Sequence, residues 1–211
     1  SVIPMLPTEL SNGCCSLNEG KDRYAISVIM KIDSKGKVID NDIFKSIIKV
    51  TKRMNYNDVY KIIERSDEKV LSKYEPYISH FDRMKELALI LKERRLKDGY
   101  LSLDIPESKI TLDKNGKPID IMAYETNFAH EIIEQFMLTA NETVAERFYW
   151  LELPFIYRVH EKPDSDKVKE LNKYLFNFGY RVKGKLDDVK PKAFSQILED
   201  VKGKDEERVV S

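Results

Sequence analysis

The stretch YAISVIMKIDSKGKVIDNDIFKSIIKV, residues 24–50, decides the fold class. Tyr24 to Asp33 is apolar and rich in β-branched residues, so it reads as a strand. Ser34-Lys35-Gly36-Lys37 supplies a turn, and Val38 to Val50 supplies a second strand. Its alternation through Ile43, Ser46, Ile47, Ile48 and Val50 is imperfect, but the pair still reads as an antiparallel hairpin.

Helices dominate the chain beyond the hairpin. Asn55 to Glu64 predicts a short helix capped by Asn57, with Val59, Ile62 and Ile63 as its apolar side. Ser79 to Lys97 predicts a long one, stopped by Asp98-Gly99. Short strands are expected at Tyr100–Ile105, Lys109–Leu112 and Ile119–Tyr124, with a turn at 114–117. Asn127 to Leu151 predicts a second long helix. Its apolar face is expected to run through Ala129, Ile133, Phe136, Met137, Ala140, Val144 and Phe148. Phe155 to Val159 reads as a strand. Helices follow from Asp164 or Ser165 to about Phe178 and from Lys192 to Val201. There is no βαβ repeat. The class is α+β: an antiparallel or mixed sheet with long packed helices. Before the hairpin, Val2–Leu10 carries two prolines and is expected to be irregular or briefly helical, packed against something.

The chain has 211 residues, 42% of them hydrophobic, enough for a real core. Its 36 basic and 36 acidic residues cancel, which argues against a module held on nucleic acid by bulk charge. No apolar run is long enough to span a membrane, so no membrane role is expected. The only cysteines are Cys14 and Cys15. Adjacent cysteines rarely bridge each other, because the geometry strains the backbone. A reducing, cytoplasmic compartment fits this usage. Phosphate-binding loops and nucleophile elbows are absent. His80, His130 and His160 are far apart, and a lone helical histidine such as His130 is most simply a partly buried one. The residues by themselves reach no further than an α+β domain.

Two segments carry more. VIPMLPTELSNGCCSLNEGKDRYAISVIMKID (residues 2–33), continued by RMNYNDVYKII (53–63), resembles a signature of the RNase II/RNase R (RNB) exoribonucleases. AHEIIEQFMLTANETVAERF (129–148) is similar to that family's I-E-E-x-M-x-x-A-N-x-x-V-A helix. YRVHEKPDSDKVKEL (157–171) resembles its Y-R-V-H-x-x-P stretch. The matches run in order over nearly the whole chain and look closer to bacterial ribonuclease R than to RNase II.

The resemblance implies a processive 3′→5′ exoribonuclease that releases nucleoside 5′-monophosphates from single-stranded RNA 3′ ends. It implies magnesium held by an aspartate cluster upstream of residue 1. It also implies an arginine segment downstream of residue 211. Residues 1–211 would then be the middle of an RNB catalytic domain, inactive alone, with neither catalytic nor metal-ligating residues of its own. The alternative is a non-catalytic RNA-binding relative, and a third reading is a helical scaffold. Exposed ends at Val2–Leu10 and Val209-Val210 would favour self-association.

By the same resemblance, Tyr56 contacts the RNA chain. Glu134 accepts from ribose hydroxyls, a group that DNA lacks at the 2′ position. The second glutamate of the family pair is Gln135 here, which leaves Glu134 as the clearer acceptor. Leu103 stands where the family often has a base-clamping phenylalanine, which weakens stacking. Arg23 is expected to pair with an acidic group that orders the site, and Asn141 to bond backbone near it. Cys15 is expected to be a small buried hydrophobe. The bland readings are a half-buried aromatic beside a strand end for Tyr56 and a surface helix charge for Glu134.

Overall fold

A computed structural model describes residues 5–101, 108–123 and 126–210. The chain divides into two compact units. The first comprises residues 1–91 and 126–155, the second residues 92–125 and 156–211.

The first unit opens with a single wide helical turn at Glu9–Cys14, followed by β1 (Asp22–Ile32) and β2 (Val38–Lys49). These strands form a two-stranded antiparallel sheet, with Tyr24 opposite Ile47 and Val28 opposite Ile43. Asp33 closes the turn: its Oδ1 accepts the N–H groups of Lys35 and Lys37 at 2.9 and 2.8 Å. Helices α1 (Tyr56–Glu64), α2 (Glu68–Lys73), α3 (Ile78–Lys97) and α4 (Phe128–Trp150) follow. Their core is Val59 and Ile63 of α1, Ala88 of α3, and Ala129 and Ile132 of α4. Met54, Phe81, Met84, Phe128 and Phe136 pack around it.

Two helical expectations are corrected here, and one further helix is added. Asn55, not Asn57, caps α1: its Oδ1 accepts the Asp58 N–H at 2.8 Å. Helix α2 was not foreseen; Asp67 caps it through the Lys69 and Val70 N–H groups. The buried stripe of α4 is Ala129, Ile132, Gln135, Thr139 and Thr143, whereas Ile133 and Met137 are exposed. Apolar residues lie on several sides of this helix, so periodicity alone selects the wrong one. Two threonines can be buried because each hydroxyl donates to the carbonyl one turn back, Thr139 to Gln135 and Thr143 to Thr139, both at 2.8 Å.

The hairpin lies against the C-terminal half of α4. Arg147 Nη1 donates to the Asn41 carbonyl at 2.6 Å and to Asn41 Oδ1 at 2.9 Å. Thr143 Oγ1 meets the Met30 sulfur at 3.3 Å. At the open end of the hairpin, Tyr24, Ile26 and Ile47 stay exposed.

In the second unit, β3 (Ser108–Leu112) and β4 (Pro118–Ala123) pair antiparallel around the expected turn. The core is built by Val168 and Leu175 of α5 (Ser165–Phe176), Ile197 and Val201 of α6 (Pro191–Val201), and Val182 and Val189 of the segment between them. A short α7 (Glu207–Val210) sets Val210 against it. Gly99 ends α3 at φ +95°, where its Cα faces the Lys192 backbone.

The α+β class stands, with two two-stranded sheets among the described residues. The expected strand at Phe155–Val159 does not form: these residues take no regular secondary structure and are exposed. A β-prone sequence needs a partner edge, and no described strand pairs with this one. Of the expected strand at Tyr100–Ile105, Tyr100 and Leu101 are irregular and the rest lies outside the described residues. Met5 and Leu6 are exposed rather than packed. No described helix is long and apolar enough to cross a membrane.

Candidate nucleic-acid interface

Tyr56 is the first residue of α1, and its position is fixed from both sides. Upstream, Gly20 N–H donates to the Val50 carbonyl at 2.8 Å. The Glu19 carboxylate receives Lys52 Nζ at 2.8 Å and the Arg53 N–H at 2.9 Å. The Lys52 ammonium, with help from the Arg53 N–H, holds Glu19 below the usual carboxylate range. This clamp ties the end of β2 to the loop before β1 and sets where Arg53-Met54-Asn55-Tyr56 leaves the sheet. Downstream, the Asn55 cap starts the helix, and Tyr74 Oη donates to Asp58 at 3.1 Å.

The Tyr56 ring lies flat on the His130 imidazole, with centroids 3.8 Å apart and planes 19° from parallel. His130 belongs to the first turn of α4. Its Nδ1 accepts the Asn127 N–H at 3.2 Å, while Asn127 Oδ1 accepts the Ala129 N–H at 3.1 Å. This reciprocal cap orients the imidazole that Tyr56 stacks on. The apolar contact of α1 with α4, through Val59, Ile63, Ala129 and Ile132, brings the two helix starts together.

Positions 130, 134, 137 and 141 recur at helical spacing and form one stripe along α4. Glu134 is therefore the next turn beyond the Tyr56–His130 stack. Glu134, Met137 and Asn141 are exposed, and His130 is half-buried. The stripe offers a two-ring stack, a carboxylate and an amide, and it contains no cation. Such a surface suits groups that donate hydrogen bonds and present flat faces, such as sugar hydroxyls and bases. It does not suit bare phosphates.

The structure thus brings Tyr56, Glu134 and Asn141 to one side of the first unit. It also adds His130, which sequence reasoning set aside as a partly buried histidine. The signal that could have found it was Asn127 three residues before it, the spacing of a reciprocal cap. Arg23 is elsewhere in function: its Nε and Nη1 each donate at 2.9 Å to backbone carbonyls, of Ser16 and Asp22. It shapes the loop before β1 instead of meeting an acidic side chain. Cys15 is exposed, not buried. Gln135 is turned inward at 2% exposure, with Oε1 lacking a hydrogen-bond partner, so it cannot substitute for Glu134 at the surface. Leu103 lies outside the described residues.

Among the described residues, no group of three or more His, Cys, Asp or Glu is placed to hold a metal ion. They do not fit a magnesium site, and no metal-assisted step follows from them. A separate cleft of about 420 Å³ lies at the far end of α4, where Val38 and Ile39 face Thr143, Arg147 and Trp150.

The RNB domain model matches residues 1–211. Ribonuclease R of Thermotoga maritima is 45% identical over 203 residues, covering 96% of this chain and 28% of that protein. Ribonuclease R of Escherichia coli is 28% identical over 200 residues, covering 95% of this chain and 24% of its own length. Apo Mycoplasma genitalium RNase R superposes with a TM-score of 0.87 at 27% identity, over 100% of this chain and 32% of that one. The same enzyme in complex with ribose methylated single-stranded RNA superposes at 0.86. The chain therefore spans about a quarter to a third of the length of these relatives. A match along every residue, with the same fold in the solved relatives, means that this chain belongs to the RNB domain family.

Proposed function

We propose that residues 1–211 form part of the RNA-binding wall of a 3′→5′ exoribonuclease similar to ribonuclease R. The observation that carries this reading is the Tyr56–His130 stack with Glu134 one turn beyond it. The two rings offer a flat apolar face for a base. The carboxylate accepts from a ribose 2′-OH, which is how a protein tells RNA from DNA at one position. Solved relatives of the same fold are described in complex with single-stranded and with double-stranded RNA.

In this reading the chain binds and orients the strand. Hydrolysis with magnesium belongs to parts of the protein outside residues 1–211, and these residues alone release no mononucleotides. The balanced charge of the chain agrees with such a division. A few placed groups select the sugar and base here, while phosphate neutralisation is supplied elsewhere.

The test compares binding of oligo(A) and oligo(dA) to the full-length protein and its Glu134→Ala variant. A hydrogen bond to a charged acceptor contributes about 1.5–3 kcal/mol, so the preference for ribose should fall about tenfold or more. An unchanged ratio of the two affinities would refute the role of Glu134.

A further inference from the structure

Cys14 and Cys15 close the wide turn at Glu9–Cys14, and the RNA-binding reading makes no use of them. Both thiols are free and exposed, and their sulfurs are 4.0 Å apart. Adjacent residues on a regular helix face different directions. Here Gly13 breaks the helix at φ −97°, ψ −111°, and Cys15 caps it at φ −91°, ψ 0°. Within this irregular turn the two sulfurs come within contact distance of each other.

The geometry points to a redox-active vicinal dithiol, which is oxidised by a small-molecule disulfide such as glutathione disulfide to a Cys14–Cys15 bond. In the first step a thiolate of the pair attacks the small disulfide. A mixed disulfide forms and one small thiolate leaves. In the second step the neighbouring sulfur gives its proton to solvent and attacks the protein-bound sulfur of the mixed disulfide. The intramolecular S–S bond forms and the second small thiolate leaves. Two protein thiols lose two electrons, the small disulfide gains them, and the released thiolates take up the two protons.

Strain makes this a reversible switch and not a structural staple. Consecutive Cα atoms are about 3.8 Å apart, below the usual disulfide range of roughly 4.4–6.8 Å. Strained, exposed disulfides are the easily reduced ones. The hydrogen bond shared with Cys14 and the mutual repulsion of two thiolates raise the Cys15 pKa, so the pair does not readily lose both protons at once. Both cysteines are exposed, so the ring closes on the solvent side of the turn. Both flanks are anchored, by Arg23 Nε on the Ser16 carbonyl and by Asn18 Nδ2 on the Asn12 carbonyl at 3.1 Å. The change therefore stays within the turn, and its main cost is the Cys15 N–H bond to the Leu10 carbonyl.

The reduced protein is treated with glutathione disulfide, digested, and the peptide carrying both cysteines is weighed. The expected wild-type product has lost two hydrogens, carries no glutathione and is restored by dithiothreitol. Cys14→Ser and Cys15→Ser should each retain one glutathione. Phenylarsine oxide, which needs two neighbouring thiols, should bind the wild-type peptide and neither variant. Two glutathiones on the wild-type peptide, unreacted thiols, or cross-links between chains through these cysteines would each overturn the proposal.

Discussion

The stack of Tyr56 on His130 can be measured without any RNA. Tyr56→Ala removes a ring that is 43% exposed, so about half of an aromatic side chain leaves a buried surface. A fully buried aromatic covers roughly 150–250 Å², so the loss is about 100 Å², or about 2.5 kcal/mol at ~25 cal/mol per Å². His130→Ala removes the same stacking partner and the acceptor for the Asn127 N–H. Loss of half a reciprocal cap costs about 1 kcal/mol. An offset or near-parallel aromatic pair contributes about 0.5–1.5 kcal/mol beyond area. Urea unfolding followed by circular dichroism of the wild type, both single variants and the double variant gives the coupling directly. The double variant should be more stable than the sum of the single losses predicts, by about 0.5–1.5 kcal/mol. Additivity within about 0.3 kcal/mol would show that the rings do not support each other, and the platform assigned to RNA would lose its basis.

Other expectations follow from single contacts. Arg147→Met should cost about 1–3 kcal/mol, because the Asn41 carbonyl and amide lose their donor; unfolding that matches the wild type would mean the hairpin is held by other contacts. Gly99→Ala meets both a positive φ of +95° and the Lys192 backbone nitrogen at 2.7 Å, so a thermal scan should show clear destabilisation, of more than about 1 kcal/mol. Glu19, Asp67 and Asp164 are all held below the usual carboxylate range. The Lys52 ammonium does this for Glu19, the Lys61 ammonium for Asp67, and the Asp166 and Lys167 N–H groups for Asp164. A depressed folded pKa adds stability that is complete above the unfolded values of 4.5 and 3.8 and is lost as pH falls through the folded ones. Stability should therefore drop on acidification below those values, and Asp67→Asn with Asp164→Asn should flatten that drop in a urea series across pH.

Much of this architecture was written locally in the chain. The hairpin of residues 24–50 forms as expected because its turn and its two β-branched strands are neighbours in the chain. The limits of α3 and α4 follow from adjacent signals, Asp98-Gly99 at one stop and Asn127 at one start. The likeness to the RNB family rested on ordered motifs and survived comparison along the full chain. Tertiary contact decided the remainder. Which side of α4 is buried depends on where the hairpin and α1 lie, and it put Gln135 and two threonines inside and Met137 outside. The strand propensity of Phe155–Val159 found no edge to pair with among the described residues. The joining of Tyr56 to His130, separated by 74 positions in the chain, depends on the packing of α1 on α4. Residues 14 and 15 are adjacent in the chain, yet the 4.0 Å between their sulfurs is a property of the folded turn. Short-range hydrogen bonds are specified by neighbours in sequence; which surfaces meet, and so which side chains are left to act, is specified by burial of the whole.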